Sequence, residues 1–187
     1  MNHESGIMNK NGQKRNAAFT LVEAMVAISI LSLSITGPMV IAQKGIGSAI
    51  YARDQITAFY LAQEAVEYIR NIRDSNRINL DPWLSYLSLC LSGGTCQIDS
   101  RYTDYQDVEA VKSCPSGICP KLSINTSQNF YGYGSGVSWK ETPFTRTIQM
   151  EETVSGREAL ISVTISWNTN LFAPLRTFTI KEYIYNF

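Results

Sequence analysis

A single carboxylate interrupts the most apolar stretch of the chain. Glu23 is the fifth residue of the run FTLVEAMVAISILSLSITGPMVIA, which covers residues 19–42. A charge in a membrane helix is unfavourable by about 2.5–3.5 kcal/mol at the helix centre and by less near the helix end. A carboxylate in such surroundings gains most from a nearby cation, so Glu23 is a candidate for an ion pair. The alternative is an acidic residue near a helix N-terminus, where the helix dipole favours it.

Proton-transfer chemistry has few candidates in this sequence. The only histidine is His3, which lies in the polar opening segment, residues 1–18. Histidine is the usual side chain for proton transfer near neutral pH. If that segment is removed, a Ser-His-Asp or Cys-His arrangement becomes impossible, as does a histidine metal site. A carboxylate-only glycosidase needs no histidine, but no pair of carboxylates stands out, and we expect no catalytic residue, no cofactor and no metal site.

All four cysteines lie in one short part of the chain, Cys90, Cys96, Cys114 and Cys119. An even number in a short stretch indicates disulfides if the domain lies outside the cytoplasm. Four cysteines allow three pairings, and the spacing favours Cys90–Cys96 with Cys114–Cys119, two local bridges that pin loops. Zinc sites usually have a tighter spacing within each pair, which makes them the weaker interpretation.

Two other polar patterns receive structural interpretations. Asp99, Asp104 and Asp107 lie close together, but the alternating oxygen ligands and glycine of a calcium loop are missing, so we expect solvated loop charges. Asn125 begins an Asn-x-Ser glycosylation pattern. Such a pattern occurs often by chance, and modification stays open.

The apolar run has the length of a membrane span. Its 24 residues reach about 36 Å at ~1.5 Å per residue, and a bilayer core is roughly 30 Å thick. Gly37-Pro38 lies deep in the run, and proline removes a backbone donor, so the helix should kink or loosen there. The polar, basic residues 1–18 are typical of a targeting leader rather than of a folded element.

Charge distribution predicts the orientation. The chain has 16 basic and 16 acidic residues, so no overall field favours nucleic acid, and we expect no direct nucleic-acid binding. Residues 1–18 hold Lys10, Lys14 and Arg15 against Glu4. This positive flank precedes the apolar run and marks its cytoplasmic side. We therefore predict a single-pass membrane protein with a cytoplasmic N-terminus and an extracytoplasmic head.

The rest of the chain predicts an α+β head. Residues 43–78 continue the helix with one apolar face, formed by Leu61, Ala65, Tyr68, Ile69 and Ile72. Residues 79–143 are rich in glycine and proline and predict loops, with a short helix near 83–91 and a strand near 121–124.

The last part of the chain predicts a three-stranded antiparallel meander. Residues 144–150, 160–167 and 176–185 are rich in β-branched and aromatic side chains. In the third strand the apolar parity changes between Ile180 and Tyr183, which suggests a bulge near Lys181-Glu182. We expect a sheet of three or four strands within a head that covers residues 79–187.

The run Phe19-Thr20-Leu21-Val22-Glu23 after a short basic leader resembles the processing site of type IV prepilins and type II secretion pseudopilins. The resemblance is specific over roughly residues 10–45. It implies the type IV pilin fold, with a long helix over residues 19–78 packed on an antiparallel sheet. The final strand, which ends in YIYNF, is similar to those of minor pilins or I-type minor pseudopilins.

The resemblance also implies roles for residues. A prepilin peptidase would cut between Ala18 and Phe19 and methylate the new amine of Phe19, although the family usually has glycine at the position of Ala18. Glu23 would pair with the Phe19 amine of a neighbouring subunit. Pro38, with Gly37, resembles the site at which pilin helices bend or melt inside filaments.

The implied function is assembly without catalysis. Lipid would hold the subunit before assembly, and the implied partners are other pilin or pseudopilin subunits, prepilin peptidase and inner-membrane assembly machinery. The alternative is a signal-anchored or secreted extracytoplasmic binding domain, because residues 40–42 could serve as a conventional cleavage site.

Overall fold

The computed structural model describes residues 19–104, 106–168 and 174–187. The predicted leader, including His3 and Ala18, lies outside the described residues. The chain divides into two units, Met1–Ala49 and Ile50–Phe187.

One long helix, α1, covers Leu21–Ile78. It begins after Thr20 and has Arg77 in its last turn, where a cation complements the helix dipole. Beyond the helix, the Asp81 N–H donates to the Asn76 carbonyl at 2.8 Å, which satisfies a terminal carbonyl. Helical structure continues through Gly37 and Pro38, so the proline does not interrupt the helix.

The described residues form one antiparallel sheet of seven strands rather than the three or four expected. The strands are β1 (Cys96–Ile98), β2 (Val111–Ser113), β3 (Lys121–Asn125), β4 (Phe130–Gly132), β5 (Trp139–Val154), β6 (Glu158–Trp167) and β7 (Arg176–Tyr185). In the order β2-β1-β5-β3-β4, each strand is hydrogen-bonded to the next. Strand β6 pairs with β5 and also with β7. Single-turn 3₁₀ helices lie at Ser88–Cys90, in place of the longer helix predicted near 83–91, and at Pro115–Gly117.

The core of the second unit lies between the predicted face of α1 and the inner face of the sheet. Residues 160–167 alternate between buried and half-buried positions, as their sequence predicts. Of the predicted helix face, Tyr68 is half-buried and the other members are buried. The buried cluster joins helix and sheet residues, among them Leu61, Ala65, Ile69, Ile72, Ile148, Ile161, Val163, Ile165 and Ile184.

The predicted bulge in β7 is wrong. The pairing of β6 with β7 runs without a register shift from Glu158 opposite Tyr185 to Trp167 opposite Arg176. Tyr183 is exposed and Ile184 is buried. The parity change was misread because an exposed aromatic side chain was assigned to a buried face. A register shift occurs instead in β5, between Glu152 and Val154.

The structure pairs Cys90 with Cys96 and Cys114 with Cys119, which is the pairing that the spacing favours. The first bridge joins the 3₁₀ helix at Ser88–Cys90 to β1, and both of its cysteines are buried. The second closes a short loop between β2 and β3. Together they tie loop segments to the sheet where regular structure is sparse.

Candidate functional site

The N-terminus of α1 carries a polar cap directly before the apolar run. The Thr20 side-chain oxygen accepts a hydrogen bond from the Glu23 N–H at 3.2 Å. The Thr20 carbonyl accepts the first helical bond, from the Ala24 N–H at 3.1 Å. Thr-x-x-Glu is the sequence pattern of a capping box, a local signal for the start of the helix that was not predicted above. The cap fixes where the helix starts and places Glu23 in its first turn.

Glu23 is exposed and forms no ion pair with any residue of the described part of the chain. Its position in the first turn is favourable because the unpaired N–H groups there carry partial positive charge. The helix dipole and an intermolecular cation are compatible partners, because the carboxylate has several acceptor positions. Phe19, four residues earlier, precedes the helix and is also exposed.

The apolar part of α1 has no cover within the described residues. Its most apolar 18-residue window has a mean hydropathy of 2.0, and none of that window is buried. Such a surface needs lipid or other protein around it. The helix is long and apolar enough to cross a membrane. The exposed large side chains of this segment include Leu21, Val22, Met25, Val26, Ile28, Ile30, Leu31, Leu33, Ile35, Met39, Val40 and Ile41.

Polar groups inside this segment are satisfied locally. The hydroxyls of Ser29, Ser32 and Ser34 each donate to the carbonyl four residues earlier at 2.8 Å. Thr36 donates to the Leu33 carbonyl at 3.1 Å. Because these hydroxyls bond within the helix, they need no water, and the helix surface suits an apolar environment.

In the second unit, a buried arginine joins three elements. Arg146, on the inner face of β5, is fully buried. Its Nη1 donates to the Leu61 carbonyl of α1 at 3.0 Å and lies 3.3 Å from Glu64. Its Nη2 donates to the Ile98 carbonyl of β1 at 2.6 Å. Arg146 was not predicted to be a site residue, although it alternates along β5 in step with the buried Phe144 and Ile148.

Asp99 is not the solvated loop charge that we expected. The side chain is buried and accepts hydrogen bonds from the Arg101 Nε at 2.7 Å and from the Tyr133 N–H at 3.2 Å. Burial alone raises the pKa of Asp99, but hydrogen bonds from the Arg101 side chain and from the N–H groups of Tyr133 and Arg101 outweigh it. The pKa therefore lies below the ordinary 3.8. Asp99 has a structural role, because it anchors the loop after β1.

Two glycines allow the packing around this anchor. The Arg101 guanidinium carbon lies 4.7 Å from the centre of the Trp139 ring. A Cβ at Gly132 would lie 2.5 Å from the Arg101 Nε, and one at Gly134 would lie 2.1 Å from the Trp139 ring. Gly132, the last residue of β4, and Gly134, two residues later, therefore make room for Arg101 and Trp139.

Tyr68 connects the helix to the same loop. Its hydroxyl donates to the Tyr102 carbonyl at 2.6 Å. Burial raises the pKa of Tyr68 to about 12, with a further contribution from nearby carboxylates. The phenol thus stays protonated and keeps this hydrogen bond at physiological pH.

The glycosylation pattern also has a structural use. The Asn125 side-chain oxygen accepts hydrogen bonds from the N–H groups of Ser127 at 2.9 Å and Gln128 at 3.1 Å. The side chain is buried at the end of β3. It forms the turn toward β4, which is the usual local role of asparagine.

The comparisons with known proteins identify the N-terminal segment. Residues 13–37 match a family model described as the prokaryotic N-terminal methylation motif. Comparison with curated proteins and with solved structures gives no significant match. The motif indicates a type IV pilin-like protein that is processed by prepilin peptidase. The α+β architecture of α1 and the antiparallel sheet fits this class.

Proposed function

We propose that the chain is a filament subunit, a minor pilin or minor pseudopilin, that assembles through the first part of α1. Prepilin peptidase removes residues 1–18 by cutting between Ala18 and Phe19, and the Phe19 amine is then methylated. Before assembly, the helix holds the subunit in the membrane, with its head outside the cytoplasm. Assembly machinery then moves the helix out of the lipid, and the helix packs against the helices of other subunits.

The observation that carries this proposal is the uncovered apolar surface of α1, which follows a methylation motif. A helix with such a surface is stable in lipid, and it can also be stable when similar helices pack around it. Exchange between the two environments keeps the apolar side chains away from water. An assembly subunit needs this property, whereas a catalyst does not.

Glu23 sets the axial position of one helix against the next. An unpaired carboxylate among apolar side chains is unfavourable, and pairing with a cation relieves that penalty. The cleaved Phe19 amine keeps its positive charge after methylation. The pairing of Glu23 with the Phe19 amine of a neighbour therefore favours one stagger between adjacent helices.

Substitution of Glu23 tests this role. We expect Glu23→Ala to insert in the membrane normally but to enter filaments about tenfold less than the parent, since a lost charge-assisted hydrogen bond corresponds to roughly 1.5 kcal/mol. Quantitative blotting of sheared filaments against membranes measures the ratio. Glu151→Ala, the same substitution at an exposed position of β5, is the matched control and should behave as the parent. Equal incorporation of the Glu23→Ala and parent chains would refute the role of Glu23.

A further inference from the structure

Strand β7 is an unusually long edge. It covers ten residues and pairs only with β6 among the described residues. The edge strands β2 and β4 have three residues each. Edge strands present unpaired N–H and C=O groups that can pair with another chain, and most proteins keep them short. The free side of β7 is therefore a candidate surface for pairing with another strand.

Hydrogen-bond parity shows which residues face the free side. The Asn186 N–H donates to the Arg157 carbonyl at 2.9 Å. Residues of β7 with even numbers therefore share the backbone bonds with β6, because hydrogen-bonded positions alternate in an antiparallel pair. The hydroxyls of Thr164 and Thr179 lie 2.9 Å apart, as expected for a closely spaced, non-hydrogen-bonded pair. The odd residues then direct N–H and C=O groups away from β6.

Two arginines of α1 contact β7, one at its C-terminal end and one on the face of the strand that is turned toward the helix. The Tyr185 carbonyl accepts a hydrogen bond from Arg73 of α1 at 3.4 Å. Glu182 forms an ion pair with Arg70 of α1. The stretch that stays open consists of the exposed residues Thr177, Thr179, Lys181 and Tyr183.

The usual protection of an edge strand is almost absent here. The pairing of β7 has no register shift, and the strand contains no proline. A single lysine, Lys181, lies in the middle of the open stretch. It is exposed and makes no ion pair within the described residues.

A central lysine decides which strands can pair. If a second copy of β7 paired antiparallel with its centre at or next to Lys181, the two lysines would lie opposite or diagonal to each other on one face. Like charges in cross-strand positions are destabilising, and opposite charges are stabilising. In these registers Lys181 therefore disfavours a second copy of the strand and favours a strand with a carboxylate.

We propose that the open edge of β7 binds an extended strand from a different protein, with an acidic side chain opposite Lys181. Backbone hydrogen bonds to Thr177, Thr179, Lys181 and Tyr183 supply affinity, and the ion pair supplies selectivity. The exposed Tyr183 ring offers a cross-strand apolar contact on the same face. This binding is independent of filament assembly, because it uses the head alone.

Synthetic peptides test the proposal on the processed full chain in detergent micelles. One peptide alternates threonine and valine with glutamate at its centre, and the other has lysine at that position. Amide chemical shifts and hydrogen exchange are followed as each peptide is added. We expect the glutamate peptide to protect the amides of Thr177, Thr179, Lys181 and Tyr183, and to bind about tenfold more tightly than the lysine peptide.

Two variants separate backbone pairing from charge. Thr179→Pro removes an outward N–H that β6 does not use, so the sheet is retained and peptide binding should be lost. Thr179→Val keeps the N–H and should bind as the parent. Lys181→Glu should reverse the peptide preference. Equal binding of both peptides, binding by Thr179→Pro, or self-association through these amides without peptide would overturn the proposal.

Discussion

Arg146 joins three elements of the second unit. It is fully buried, and it donates to backbone carbonyls of both α1 and β1 while lying close to Glu64. A buried guanidinium needs partners for its donors; Nη1 and Nη2 have them, whereas Nε has no hydrogen-bond partner among the described residues. Arg146 thereby links the helix to the sheet at one defined position.

Substitution of Arg146 should destabilise the second unit strongly. We expect Arg146→Ala to lower the free energy of unfolding by about 3–5 kcal/mol, because it leaves a cavity and removes the donor to the Ile98 carbonyl. Urea unfolding of the processed chain in detergent, followed by tryptophan fluorescence, measures the change. Arg157→Ala, at an exposed turn position, should stay within about 0.5 kcal/mol of the parent. A similar small effect of Arg146→Ala would contradict the linking role.

Asp99 makes stability depend on acid pH. Its pKa is depressed in the folded state, so its contribution is present above the unfolded value of 3.8 and is lost as pH falls through the folded value. We expect Asp99→Asn to be about 1.5–3 kcal/mol less stable than the parent at neutral pH. The difference should shrink below pH 3.8 as the parent protonates.

Thermal melting of both proteins across this pH range checks the effect of Asp99. Asp104→Asn, an exposed acid of the same loop, is the control and should follow the parent at every pH. A constant difference between Asp99→Asn and the parent down to pH 2 would show that protonation of Asp99 is not involved.

At the scale of elements, long periodic segments were predictable and short ones were not. The helix follows from its apolar face, and the three C-terminal strands follow from their β-branched and aromatic residues. The short strand expected near 121–124 corresponds to β3. Strands β1, β2 and β4 have only three residues each, so their existence depends on pairing partners rather than on local sequence. The wrongly predicted bulge in β7 shows that an exposed tyrosine can be mistaken for a core residue when only the sequence pattern is considered.

The residues of the candidate site also differ in whether the sequence predicts their roles. Glu23 and Pro38 were identifiable because the apolar run makes a charge or a proline conspicuous, and Phe19 was identified through the resemblance to the prepilin processing site. Arg146 was missed because its partners, the Leu61 and Ile98 carbonyls, lie far away in sequence on other elements. Asp99 was wrongly expected to be solvated, because its contact with Tyr133 joins positions 34 residues apart. Strand alternation could have predicted that Arg146 is buried, since its side chain lies on the same face of β5 as those of Phe144 and Ile148.

Pro38 should leave a weak point in α1 although the helix is continuous. Proline has no N–H, so the Ser34 carbonyl lacks its usual backbone donor. We expect faster amide hydrogen exchange around residues 34–42 in the parent than in Pro38→Ala, measured in micelles by mass spectrometry. Gly45→Ala raises helix propensity without restoring a backbone bond, and it should leave exchange near Pro38 unchanged. Identical exchange in the parent and Pro38→Ala would show that the helix tolerates the proline without loosening.

At the scale of the whole molecule, the two units are stabilised in different ways. The unit Ile50–Phe187 has a buried core and two disulfides of its own. The described part of the first unit has almost no buried surface, and it depends on an apolar environment. Such a division is what an assembly subunit requires, because the head can stay folded while the surroundings of the helix change.

The identity and location of the mature N-terminus test this account most directly. Mass spectrometry of the N-terminal peptide, taken from sheared surface filaments, determines both together. The account predicts a chain that starts at N-methylated Phe19 and is present in the filament fraction. A chain that starts after Ala42, or that keeps residues 1–18 and stays in the membrane, would contradict it.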